Sequence, residues 1–126
     1  MRQTYREGGG FEEAAAYSRA VRIGPHVAVS GTAPREGGDA YAQTREAIGR
    51  ALAAAEKLGA AKEDVLRTRL LLADGCDWEG AVRAHAEAFA GVDPANTTYF
   101  VSGFIPEGAL VDFELDAVVP EAEPPR

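Results

Sequence analysis

The chain has 126 residues, of which 46% are hydrophobic and 26% charged, and a formal net charge of −7. That length and balance describe one globular domain able to bury roughly two-thirds of its unfolded surface unaided. The acidity excludes a chain-wide attraction to phosphate, so no nucleic-acid partner is expected.

The one cysteine, Cys76, cannot form an intrachain disulfide and fits a reducing cytoplasm. With only two histidines beside it, no structural zinc site is expected, and no other metal or cofactor. No run approaches the roughly 20 apolar residues of a membrane span. The start, from Met1 to Gly10, lacks the apolar core of a signal peptide.

In chain order, residues 7–16 are glycine-led, continue into Glu-Glu-Ala-Ala-Ala, and read as an exposed loop or short turn. Ser18 to Ile23 alternates and predicts a strand. Gly24-Pro25 turns the chain, and Val27 to Ser30 returns as its partner. Ser30-Gly31-Thr32-Ala33-Pro34 then forms a corner, where Gly31 lets another group approach the main chain and Ser30 offers a hydroxyl.

After a turn at Arg35–Asp39, Asp39 is placed to cap a helix. Tyr41, Ile48, Leu52, Ala55 and Leu58 recur at helical spacing, and Gly59 ends the run. Its alanine-rich face permits close approach to a sheet. Val65–Ala73 predicts a third strand, buried on both sides because Leu70, Leu71 and Leu72 run together. After the loop Asp74–Asp77, Asp77 caps a second helix with Trp78, Val82, His85 and Phe89 on one face. Gly91 to Pro94 breaks it.

Asn96 to Val119 reads as a long hairpin turning at Pro106-Glu107, with Phe100 opposite Phe113 and Phe104 opposite Ala109. One face gathers Phe100, Phe104, Val111, Phe113 and Leu115, to be covered by helices. The other gathers Thr97, Tyr99, Val101, Asp112, Glu114 and Asp116. Three acids on successive outward positions suit a solvated strand, or one that faces a polar pocket or a second subunit. The order strand, strand, helix, strand, helix, strand, strand is α+β, with two helices on one face of a mixed sheet. Residues 1–119 make a single domain, and the tail 120–126 is expected to be disordered.

Three stretches in this order resemble the RidA/YjgF family, also called the endoribonuclease L-PSP family. They are Tyr17 to Gly31 (with its Tyr-Ser-x-Ala and Val-x-Val-Ser-Gly blocks), Thr68 to Asp74, and Pro106 to Ala117. The similarity runs from Tyr17 to Val119 with a short gap near Gly91–Ala95. It implies a chorismate-mutase-like α+β domain forming a homotrimeric barrel with small-molecule clefts between subunits. It also implies hydrolysis of imines and enamines such as 2-aminoacrylate to 2-oxo acids and ammonia.

Residue by residue, the resemblance places Tyr17 and the Ser30-Gly31 corner in the cleft, with Thr32 following. The water-positioning acid falls on Asp112, one methylene shorter than the usual glutamate. Tyr99 stands where the family carries a cysteine. Thr97 stands where it carries the arginine that grips a substrate carboxylate. A hydroxyl cannot replace that bidentate grip, whose loss is worth about 2–5 kcal/mol at a half-buried site. Arg83, on the second helix, aligns with a pocket asparagine and either reaches the cleft of a neighbouring copy or is an ordinary exposed arginine.

Asp112 and Glu114 are the candidate catalytic pair, since a desolvated carboxylate beside another holds a proton more tightly. The same spacing suits a polar strand lining a barrel. Cys76 lies between aspartates and reads as inert, His85 as a core or interface residue, and His26 as a surface one. The reading is therefore a RidA-like trimer acting on an imine or enamine other than 2-aminoacrylate. The alternative is a non-catalytic metabolite-binding or protein-stabilising trimer. Endoribonuclease activity is disfavoured by the chain's acidity.

Overall fold

The computed structural model describes residues 1–105 and 107–120. The elements are strand β1 (Arg2–Tyr5), helix α1 (Gly10–Ala15), strands β2 (Ala20–Ile23) and β3 (His26–Thr32), helix α2 (Ala40–Lys57), strand β4 (Val65–Ala73), helix α3 (Trp78–Phe89), and strands β5 (Ala95–Val101) and β6 (Val111–Val118). They form one six-stranded sheet in the order β1-β2-β3-β6-β4-β5. Among the described residues only the β4–β5 pairing is parallel. The architecture is the expected α+β.

Local signals account for the helices. The Asp39 side chain accepts from the Ala42 N–H and starts α2, and Asp77 accepts from the Gly80 N–H and starts α3. Gly59, at φ +92°, follows α2, with Arg22 Nη1 2.7 Å from where a β-carbon would lie. Arg22 in turn donates to the Leu58 carbonyl at the helix end. The alanine face of α2 lies across β3 and β6 and packs on α3, with Ala47, Ala51 and Ala55 fully enclosed. Val27, Leu70, Leu72, Phe113 and Leu115 supply the sheet side of the core, each burial worth about 1.5–3 kcal/mol.

Several expectations are corrected by the pairing. Asn96–Val119 is not a hairpin, because β4 lies between β5 and β6. Phe100 stands opposite Leu72, and Phe113 opposite Leu70. The face assignment stands for the strand residues, whereas Phe104 lies beyond the end of β5, has no ladder partner at Ala109, and lines a cavity with Asp112. Val111, Phe113 and Leu115 are buried under the helices, while Asp112, Glu114 and Asp116 share the opposite face with Arg69, Thr97 and Tyr99. Phe100 points to the helix side yet is 46% exposed, since β5 is the sheet's edge.

Leu70 and Leu72 are enclosed, but Leu71 lies on the opposite face and is only half-buried, so β4 is not buried on both sides within this chain. On α3 the enclosed residues are Ala81, Ala84 and Phe89, while Trp78 and Val82 are exposed. The sequence reading lacked β1, α1 and a short 3-10 turn at Lys62–Asp64. β1, with the polar sequence Arg-Gln-Thr-Tyr, pairs with β2 as the second edge. The glycine-led segment contains α1, whose Glu12 is 5% exposed and accepts the Glu7 N–H with both carboxylate oxygens. The turn residue Pro106 and the tail from residue 121 lie outside the described residues.

Candidate functional site

The site begins with an irregularity in β3. Pairing with β6 runs in register from His26 to Val29 and resumes at Thr32, so Ser30 and Gly31 leave the ladder. The Ser30 N–H donates instead to the Arg19 carbonyl, and its hydroxyl donates to the Ser18 carbonyl at 2.6 Å. Gly31 is thereby turned toward β6. A β-carbon there would lie 2.5 Å from Asp112 Oδ2, so only glycine admits the carboxylate at this spot.

Around that contact is a cavity of about 570 Å³ lined by Tyr17, Arg19, Gly31, Arg50, Phe104 and Asp112, with Glu7 and Glu12 on its acidic wall. Arg19 is 9% exposed. Its Nη2 donates to the Gly31 carbonyl at 2.9 Å and its Nη1 reaches Thr32 Oγ1 at 3.5 Å. Its guanidinium also lies 5.6 Å from the centre of the Tyr17 ring. Arg50 is held by Glu7 at 2.9 Å and donates to the Ala33 carbonyl.

Burial pushes the Asp112 carboxyl above the usual aspartate range, and the neighbouring Glu114 pushes it further. Arg19 and the Phe113 backbone N–H pull the other way. A carboxyl so placed, at the wall of a cavity, holds its proton more tightly than an ordinary aspartate and is a stronger base once ionised.

The residues singled out from the sequence fall into groups. Tyr17, Gly31 and Asp112 meet at the cavity. Glu114 lies one step along the same strand face and is paired with Arg69 at 3.2 Å, which also reaches Asp116. The hydroxyls of Ser30 and Thr32 bond to main-chain carbonyls, Thr32 to that of Ser30. Thr97 and Tyr99 stand two strands away on β5. Thr97 Oγ1 accepts from Arg67, and Tyr99 lies in a separate depression with Leu72 and Trp78. Arg83 lies on α3, stacked 4.3 Å from the centre of the Tyr41 ring.

Arg19 and Arg50 were not foreseen.

Elsewhere, burial and then Asp77 push the Cys76 thiol up, away from the reactive thiolate. His85 Nε2 lies 2.8 Å from Thr68 Oγ1, which also accepts from the Asn96 amide. Among the described residues no cluster of three His, Cys, Asp or Glu side chains could hold a metal, and no helix is long and apolar enough to cross a membrane.

A family model described as endoribonuclease L-PSP matches residues 10–119. A Streptomyces coelicolor relative, described as uncharacterized protein SCO2049, is 40% identical over 116 residues, 87% of each chain. The crystal structure of Rv2704 from Mycobacterium tuberculosis, described as a member of the YjgF/YER057c/UK114 family, is 42% identical. It covers 94% of this chain and all of its own with a TM-score of 0.90. A putative endoribonuclease L-PSP from Entamoeba histolytica is 25% identical with a TM-score of 0.81, over 94% of this chain and 100% of its own.

Proposed function

The chain belongs to the endoribonuclease L-PSP family, the RidA/YjgF family, and from that premise we propose that it hydrolyses the C=N bond of a small imine or enamine other than 2-aminoacrylate. The observation that carries this reading is Asp112: a carboxyl of raised proton affinity, packed on Gly31 at the wall of a cavity of small-metabolite size.

In the proposed reaction an enamine first takes a proton on carbon to become the imine. Asp112 then accepts a proton from water as the water oxygen bonds to the imine carbon. The same carboxyl returns that proton to nitrogen; the proton of the new hydroxyl then passes through it to nitrogen as the C–N bond breaks and the C=O bond forms, and ammonia leaves a carbonyl product. Glu114 assists by disfavouring a second negative charge beside it. Gly31 supplies main-chain groups to the ligand, and Tyr17 a ring face.

We further propose that the working unit is a homotrimer. Thr97 and Tyr99 lie too far along the sheet to serve the cavity of their own chain, so they would line that of a neighbouring copy. Ile23 and Leu66, both more than half exposed, lie in a shallow depression on the open face of the sheet that such copies would cover.

The test is ammonia release from a panel of imines generated in solution. The wild type should exceed the spontaneous rate, and Asp112→Asn should lose about 10²–10⁴-fold. Thr97→Arg should gain activity on 2-aminoacrylate, because it restores a carboxylate grip. The non-catalytic metabolite-binding reading has one observation of its own, that the Thr97 hydroxyl is already taken by Arg67. It gains if no imine is hydrolysed by either protein while a metabolite raises the Tm. RNA cleavage that disappears in Asp112→Asn would instead favour a ribonuclease.

A further inference from the structure

Arg19 is a nearly enclosed cation beside the candidate acid. Its main chain is clamped from both sides: its N–H donates to the Tyr5 carbonyl at 2.8 Å, and its carbonyl accepts from Ser30 at 2.9 Å. The side chain therefore starts from a fixed base. Its fork then closes on the Gly31 carbonyl and Thr32 Oγ1, and Thr32 is itself tied to Ser30.

Gly31 is the residue against which the Asp112 carboxylate lies, so one guanidinium holds the surface that receives the acid. The other charges around Asp112 have partners elsewhere. On β6, Glu114 is held by Arg69 from β4. Across the cavity, Arg50 of α2 is held by Glu7, whose N–H is taken by Glu12 of α1. Arg19 is left as the cation that acts on Asp112.

We propose that Arg19 is a positioning residue for Asp112: its fork fixes the Gly31–Thr32 corner on which the carboxylate rests, and its cation lines the same cavity. This rests on the reading of Asp112 as the water-activating acid, though the coupling itself can be measured without a substrate. Arginine suits both tasks, because its planar fork can bond two acceptors while its charge persists at any working pH. Lysine keeps the charge without the fork.

The experiment follows the Asp112 side-chain carboxyl by carbon-13 NMR against pH in the full chain, with Asp112→Asn identifying the signal. In Arg19→Met the midpoint should move up, because an opposite charge is lost from the cavity that Asp112 lines. In Arg19→Lys it should fall between the two, while the turnover of any imine hydrolysed drops at nearly unchanged KM.

An unmoved midpoint in folded Arg19→Met overturns the proposal. So does an Arg19→Lys protein that matches the wild type in both midpoint and turnover, which settles the matter even if the methionine variant does not fold. A midpoint that moves in a protein without imine hydrolysis supports the coupling and counts against the hydrolase reading.

Discussion

At Asp112 the folded chain raises the proton affinity first by burial and then through Glu114, against Arg19 and the Phe113 N–H. The linkage has a definite sign. A carboxyl whose folded pKa exceeds its unfolded value stabilises the fold fully below the unfolded value near 3.8, and that contribution is lost as pH rises through the folded pKa. Asp112→Asn should therefore raise the Tm at pH 7, with the gain shrinking as the pH falls toward 4. Thermal melts across that range check it, and a lower Tm at pH 7 would mean that the ionised carboxylate is stabilising.

His85 works in the opposite sense. Burial holds its pKa below 6.5, so its contribution is intact above that value and is lost as acidification protonates the unfolded chain first. His85→Gln, which can still bond Thr68, should flatten the loss of stability below about pH 6.5. Gly31→Ala drives a methyl into the Asp112 carboxylate, a side-chain end that can swing away. It should cost about 1 kcal/mol or less of stability in a urea titration yet remove most of the activity.

Among the elements, what was legible in the sequence is what the sequence determines locally. Val65–Ala73 is a strand over the residues read as one, and Asp39 and Asp77 cap the helices they precede. Asp77→Ala should accordingly cost about 1 kcal/mol. Gly59→Ala should cost about 1–2 kcal/mol, from a left-handed φ and the encroached Arg22 guanidinium. Chemical denaturation of each variant gives the comparison.

Pairing is not local, and there the reading of Asn96–Val119 failed. Pro106 and Gly108 punctuate that stretch as a tight turn would, but nothing in it announces that Val65–Ala73 will insert between its two strands. β1 was missed because an edge strand of polar residues carries no apolar alternation. Within the site, Tyr17, Gly31 and Asp112 were readable from the resemblance. Arg19 was overlooked because its burial comes from the departure of Ser30 and Gly31 from the β3–β6 ladder, which no single strand encodes.

For the whole molecule, one face of the sheet carries α2 and α3. The other presents acids, arginines and the exposed side chains of Ile23 and Leu66. A homotrimer would cover that face and bring β5 of one copy to the cavity of the next. Sedimentation equilibrium should then give three times the 13.3 kDa of one chain. Leu66→Asp, placing a charge within the proposed contact, should lower the mass toward that of a monomer. A monomeric wild type would remove the neighbouring strand from the account, and with it any role for Thr97 and Tyr99.

The most direct test of the central claim, that Asp112 activates water in this cavity, is the rate of ammonia release from the imine panel by wild type and Asp112→Asn side by side. The account predicts release above the spontaneous rate in the wild type and a loss of about 10²–10⁴-fold in the folded variant. Equal rates in the two proteins would contradict it.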